Sequence, residues 1–210
     1  MEEKRYYEKI KLTEQAQKLA DIFIQKGFKM YLVGGSVRDH YLGIDFDDHD
    51  FTTSATTEEM VAILNENDIA YDDTYISHRF VKAKVDGEEI DLLSVGRGDD
   101  FDKDLLRRDF TINALAYDVE EGCVIDRFGG LEDIKRKTLR YVNPEINKRE
   151  FKPTIRAIRF CLELGFRIDK DTYELMKENV DCFSEVRATA MLKEMPKMLK
   201  YGEKYFKEDE

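Results

Sequence analysis

Residues 30–39 read MYLVGGSVRD and residues 48–53 read DHDFTT. The first stretch is a short apolar run that stops at two glycines, the pattern of a buried strand entering a tight turn. Ser36 then offers a cap for a helix over residues 39–42. Gly34 and Gly35 let backbone N–H groups approach phosphate oxygens with no Cβ in the way. The next helix's N-terminus favours negative charge, and Arg38 adds a cation. A Gly-Gly pair before a helix is also an ordinary turn. In the second stretch, residues two apart share one face of a strand. Asp48 and Asp50 therefore aim two carboxylates at one point, while His49 and Phe51 face away.

Outward from these stretches, residues 14–29 place Ala16, Leu19, Ala20, Ile22 and Phe23 at helical spacing, and Gly27 closes that helix. A capped helix is expected over residues 57–64. Residues 78–85 and 88–95 flank Asp86-Gly87, a strong hairpin signal. An acidic loop is expected over 98–104, a short helix over 111–117 and a strand over 123–126. Helical periodicity follows over 131–137, 154–164 and 172–179. The expected architecture is α+β: residues 1–140 form a domain with a small mixed or antiparallel sheet and flanking helices, and residues 141–210 form a helical extension.

Two carboxylates converging in a cleft repel each other unless a divalent cation sits between them. Mg²⁺ suits such a site because it takes oxygen ligands and leaves positions for triphosphate oxygens. The crowding of Asp45, Asp47, Asp48 and Asp50 equally suits a solvated acidic loop. Asp91 interrupts the apolar run of Ile90, Leu92 and Leu93. It is either the exposed side of an alternating strand or a buried carboxylate that needs a partner. If its strand neighbours the first, three carboxylates gather. Two metals bridged in this way activate a hydroxyl and stabilise a leaving pyrophosphate.

The 210 residues are 42% hydrophobic, enough for a core, and carry a formal net charge of −11, which argues against a general nucleic-acid coat. The charge is uneven. Residues 134–160 hold nine basic side chains against Glu145 and Glu150, an excess of seven. Cys123, Cys161 and Cys182 are odd in number and far apart, so neither a disulfide framework nor a CxxC metal site is expected. No apolar run reaches the ~18 residues of a membrane span, and the charged opening lacks a secretory signal. A cytoplasmic location is the expectation.

In order, GGSVRD (34–39), DHDFTTSA (48–55), RRDFTINALAYD (107–118), DRFGG with LEDIKRKTLR (126–140) and RAIRFCLELGF (156–166) resemble the head and neck of the class II tRNA nucleotidyltransferase and bacterial poly(A) polymerase family. The likeness spans about residues 31–166. It implies a nucleotidyltransferase-type head, a helical neck and Mg²⁺-dependent, template-independent transfer of a nucleotide from CTP and/or ATP to an RNA 3′ end, with tRNA as the acceptor. Gly34, Gly35, Ser36 and Arg38 would hold the triphosphate, and Asp48 and Asp50 two magnesium ions. Asp91 would be the third carboxylate, as base or metal partner. Arg107, Arg108, Asp109 and Asn113 would meet the sugar and phosphates. Asp126, Gly129 and Gly130 would link head and neck.

Two departures stand out. The family reads the incoming base with an acidic residue and an arginine three positions later. The alignment sets Glu150 and Pro153 at those positions, and proline has no side-chain donor. Arg156 and Arg159 remain as candidates. Only residues 96–106 stand where the family carries a longer loop, and relatives continue beyond the neck into body and tail domains. A CC-adding or single-nucleotide enzyme, a fragment, a split enzyme with a second subunit supplying the tail, transfer to a protein or small molecule, and a non-catalytic nucleotide-binding module are all compatible with these residues.

Overall fold

The computed structural model describes residues 4–96, 100–145, 151–185 and 188–206. In chain order the elements are β1 Lys4–Tyr6, α1 Glu14–Gln25, β2 Met30–Val33, α2 Gly35–Leu42, β3 His49–Thr53, α3 Thr57–Glu66, β4 Ala70–Asp72, β5 Phe80–Val85 and β6 Glu88–Ser94. There follow α4 Asp100–Leu106, β7 Leu115–Asp118, β8 Cys123–Asp126, α5 Gly130–Lys135, β9 Thr138–Leu139, α6 Lys152–Leu164, β10 Arg167–Ile168, α7 Lys170–Glu178 and α8 Ala188–Phe206.

Local chemistry starts the helices. The Thr13 hydroxyl accepts the Ala16 N–H at 3.1 Å, and α1 then buries Ala16, Leu19, Ala20 and Phe23. Thr56 and Glu59 form a reciprocal capping box at the start of α3. Among the described residues, eight strands make one sheet in the order β1-β8-β7-β2-β3-β6-β5-β4. The β3–β6 pair is parallel and the other pairs are antiparallel. Alternation divides the faces of this sheet. Phe51, Val81, Ala83, Ile90 and Leu92 are buried in the main core with side chains of α1 and α3. Asp50, Lys82 and Asp91 lie on the opposite face.

Three sequence expectations need correction. Residues 98–104 are not all loop: α4 begins at Asp100, because Phe101 and Leu105, one turn apart, pack against Tyr31, Val33 and Ala116. Phe101 stacks on Tyr31 with centroids 4.1 Å apart. Residues 111–117 hold a single 3₁₀ turn, Thr111–Asn113, followed by β7. All four β7 residues are buried between β2 and β8, and an interior strand covered on both faces loses the period-two pattern that marks a strand in sequence. Gly34, not Ser36, caps α2. The Ser36 hydroxyl instead donates to the Asp48 carbonyl at 2.6 Å.

The later helices close over one edge of this layer. Pro153 stands in the first turn of α6, where a missing N–H costs nothing. Phe110 stacks on Tyr141 at 5.5 Å and meets Phe160 edge-on at 5.9 Å. β9 pairs in parallel with β10, and α6 packs along α8. Among the described residues no helix is long and apolar enough to cross a membrane.

Candidate active site

A cleft of about 740 Å³ opens where the glycine turn, the start of β3, the residues after α4, and helices α6 and α8 meet. Its lining includes Gly34, Gly35, Ser36, Arg38, Asp48, Asp50, Arg107, Arg108, Asp109, Asn113, Arg156 and Arg159. These are widely separated in the chain and brought together by the fold. Asp91 lies just outside that lining, and Glu150 lies outside the described residues.

The carboxylates are set by register. Asp50 and Asp91 are direct Cα partners across the parallel β3–β6 pair, and Lys82 is the partner of Asp91 on β5, so all three side chains share one face. Asp48 precedes β3 by one residue. Lys82 Nζ lies 3.1 Å from Asp91. Among the described residues the Asp48 and Asp50 carboxylates have no hydrogen-bond or ion-pair partner. Crowding by the cleft walls, then the charge of Asp91 and of Asp48, pushes the Asp50 carboxyl above the usual carboxylate range, with Arg108 and Lys82 pulling the other way. No group of three His, Cys, Asp or Glu side chains among the described residues is close enough to cage a metal ion. The three carboxylates share a face without forming a closed site.

The glycine turn is held in place by its neighbours. Gly34 has φ 77°, and a Cβ there would meet an Arg108 guanidinium nitrogen at 2.9 Å. Its N–H is already donated to the Leu115 carbonyl at 3.2 Å. The free donors at this turn are therefore the Gly35 and Ser36 N–H groups in the first turn of α2. Arg108 also reaches Asp104 at 3.0 Å, whereas Arg107 stays exposed between α4 and the cleft.

Behind the turn runs a chain of charged and polar groups. Arg38 donates to both oxygens of Asp39, at 2.8 and 2.9 Å, and to Asn113 Oδ1 at 2.7 Å. Asn113 Nδ2 donates to Asp109 Oδ1 at 2.9 Å, and Arg156 Nε donates to Asp109 Oδ2 at 2.5 Å. Arg156 continues to Glu194 at 3.3 Å, and Glu194 also accepts from Arg159 Nε at 2.6 Å. Arg159 pairs with Glu163 as well. The Phe160 ring lies beneath three guanidinium groups, those of Arg38, Arg156 and Arg159, at 5.1, 5.5 and 3.9 Å from its centroid. Burial alone would raise the Asp109 carboxyl. The Arg156 charge and the bonds from Asn113, Arg156 and the Phe110 N–H outweigh it and leave the group below the usual carboxylate range.

Asp126 organises the DRFGG turn. One oxygen accepts the N–H groups of Phe128, Gly129 and Gly130 at 3.2, 2.8 and 2.9 Å, and the other accepts that of Leu131 at 3.0 Å. A Cβ on Gly130 would stand 2.3 Å from the Thr111 carbonyl oxygen, so only glycine lets α5 sit this close to the 3₁₀ turn.

Residues 30–99 and 83–140 match the model of the poly A polymerase head domain. The chain is 36% identical over 189 residues to the CCA-adding enzyme of Geobacillus stearothermophilus, covering 83% of this chain and 46% of that protein. The chain belongs to the CCA-adding enzyme and poly(A) polymerase family. Within this family, the crystal structure of the Bacillus stearothermophilus CCA-adding enzyme in complex with CTP superposes with a TM-score of 0.80 at 33% identity, over 89% of this chain and 48% of that one. The Thermotoga maritima CCA-adding enzyme complexed with tRNA superposes at 0.77 and 28% identity, over 88% and 46%. The chain thus spans about half the length of the family members it matches.

Several residues at the cleft, and Glu194 behind it, carried no signal in the sequence. Glu194 is 3% exposed and anchors two arginines, yet it stands in a charged segment that reads as a solvated helix. Lys152 and Glu163 of α6 and Lys197 and Tyr201 of α8 line the cleft where these two helices pack together.

Proposed function

We propose that this chain is the head and neck of an enzyme that transfers a nucleoside monophosphate from CTP and/or ATP to an RNA 3′ end, with tRNA as the acceptor, releasing pyrophosphate. The observation that carries the reading is the alignment of Asp50 with Asp91 on one sheet face beside the glycine turn. The Gly35 and Ser36 N–H groups and the Arg107 and Arg108 guanidinium groups receive the triphosphate, and Gly34 keeps that approach open. Arg38, Asp109 and Asn113 brace the turn against α6 rather than reaching for the ligand, since their polar atoms are engaged with one another.

The donor set fits magnesium. Asp48 and Asp50 offer unpartnered carboxylate oxygens, and burial, with the neighbouring charges of Asp91 and Asp48 added to it, holds the Asp50 carboxyl above the usual range. Two Mg²⁺ ions held by Asp48 and Asp50 would lower the pKa of the attacking hydroxyl and neutralise charge on the leaving pyrophosphate. Asp91, paired with Lys82 at 3.1 Å, takes the proton of the attacking 3′-hydroxyl on a carboxylate oxygen or adds an oxygen to the metal pair. Base choice rests on groups other than Pro153. Arg156 and Arg159 are committed to Asp109, Glu194 and Glu163, so much of their donor capacity is already engaged.

The test is incubation with tRNA lacking its 3′ end, Mg²⁺ and each labelled nucleoside triphosphate in turn. Extension by C alone, by A alone or by CCA identifies the subtype. No extension with any nucleotide defeats the proposal. Transfer to a protein or small molecule is a second reading favoured by the net charge of −11, and a mass gain of one nucleotide on a non-RNA acceptor would support it instead.

A further inference from the structure

Part of the cleft is left over once the phosphates are seated. The triphosphate takes the glycine turn with Arg107 and Arg108, and residues 44–47 run directly into Asp48 at the metal end, so the lining that remains for the base comes from α6 and α8. α6 offers little there. Pro153 has no side-chain donor, and Arg156 and Arg159 are engaged with Asp109, Glu194 and Glu163.

Residues 194, 197 and 201 of α8 are spaced i, i+3 and i+7 and therefore share one face of that helix. Buried Glu194 fixes the face: it accepts from Arg156 and Arg159 of α6, and Lys197 and Tyr201 then line the cleft. Lys152 and Lys197 are cleft cations with no hydrogen-bond or ion-pair partner among the described residues. One helical turn after Lys152 stands Arg156, another donor, whereas one turn after Lys197 stands Tyr201. Burial, then the charge of Glu163 and a hydrogen bond to it, raise the Tyr201 hydroxyl above its usual range. The hydroxyl keeps its proton and directs it at Glu163, which leaves the oxygen lone pairs as acceptors.

We propose that Lys197 and Tyr201 of α8 read the base of the incoming nucleotide, the ammonium donating to an unprotonated ring nitrogen and the tyrosine oxygen accepting from the amino group beside it. Cytosine and adenine both present that pair. Uracil and guanine present a carbonyl and a ring N–H in its place, which sets donor against donor and acceptor against acceptor. Glu194 is the positioning residue that holds the reading face toward the cleft. The inference rests on the nucleotidyl-transfer reading above and adds to it the side chains that choose the base, taken from α8 and not from the start of α6.

The experiment measures initial rates on 3′-truncated tRNA with CTP, ATP, UTP and GTP, and with 3-deazacytidine and 1-deazaadenosine triphosphates, which lack the ring acceptor. Wild-type protein is compared with Lys197→Met, Tyr201→Phe and Glu150→Gln. For the nucleotide that wild type accepts, the deaza analogue should lower kcat/KM about tenfold. Lys197→Met should lower kcat/KM for the parent nucleotide by a similar factor, leave the acceptor KM unchanged and show no further loss with the analogue. Lys197→Met and Tyr201→Phe should both narrow the preference over UTP and GTP. Equal use of parent and analogue by wild type overturns the proposal even if a variant fails to fold. A Lys197→Met loss of equal size for all four nucleotides marks a phosphate contact and also overturns it, as does a preference abolished by Glu150→Gln and untouched by Lys197→Met. These outcomes leave RNA extension standing, whereas no extension by wild type with any nucleotide removes the transfer reading as well.

Discussion

Asp50 and Asp91 face each other as Cα partners in the parallel β3–β6 pair, and only Asp91 has a basic partner, Lys82 at 3.1 Å. One of two apposed carboxylates thus has a lysine partner, and the other is largely buried with no ion-pair partner among the described residues. An arrangement of this kind costs folding stability and is retained where the charge has work to do.

Asp50→Asn should lower nucleotide transfer by at least about 10²- to 10³-fold. Because the Asp50 carboxyl is raised in the folded protein, its ionised form at neutral pH opposes folding, so the variant should melt at the wild-type temperature or above it. Single-turnover assays and thermal melts on the same preparation check both halves; a variant that keeps full turnover removes Asp50 from the chemistry.

Mg²⁺ should stabilise the wild-type protein. At about tenfold above its dissociation constant the expected rise in Tm is about 3–5 °C. The Asp48→Asn/Asp50→Asn double variant should show no such rise. Calorimetric scans with and without Mg²⁺ read this independently of catalysis, and equal shifts in both proteins would place the ion elsewhere.

Among the described residues, Glu194 is the acid shared by Arg156 and Arg159. Glu194→Leu leaves the buried Arg159 with a reduced set of partners and should cost about 3–5 kcal/mol in urea denaturation. Adding Arg159→Leu should recover part of that loss, because the buried guanidinium left with Glu163 as its remaining acid then disappears. A single variant as stable as wild type would mean that the pair is solvated in solution.

The acid limb of the stability curve should carry the signature of Asp109. Its carboxyl lies below the ordinary value of about 3.9 in the folded protein, so its contribution is complete above that pH and is lost as pH falls through it toward the folded value. Asp109→Asn should be less stable at pH 7 and lose stability less steeply below about pH 4. Parallel limbs in the two proteins would show that the Arg156 contact contributes little.

Gly130→Ala should destabilise the head by about 1–3 kcal/mol, because the new methyl falls 2.3 Å from a backbone oxygen that cannot rotate away. Equilibrium unfolding of the variant measures this, and a neutral outcome would mean that α5 shifts freely relative to the 3₁₀ turn.

Much of the site was legible in the sequence because its parts are local. The Asp-x-Asp spacing, the glycine pair and the Asp86-Gly87 hairpin depend on strand alternation and turn geometry, which neighbouring residues dictate. The strand β7 was misread as a helix because its neighbours on both sides are distant in sequence, and burial on both faces erased its alternation. The helix α4 was missed because its defining contact, Phe101 on Tyr31, joins residues 70 positions apart.

The sequence by itself set Asp48 and Asp50 two residues apart near a glycine turn, with a solvated loop left as an alternative, and carried the ordered motifs of the family; the structure places Asp50 on β3 and Asp48 just before it. Only the tertiary structure decided that Asp91 would stand opposite Asp50, that Lys82 would pair with one of them, and that Arg38, Arg156 and Arg159 would be held in a braced network ending at Glu194. The difference is physical: spacing along a strand or helix follows from backbone dihedrals, whereas strand register and the pairing of buried charges follow from long-range packing.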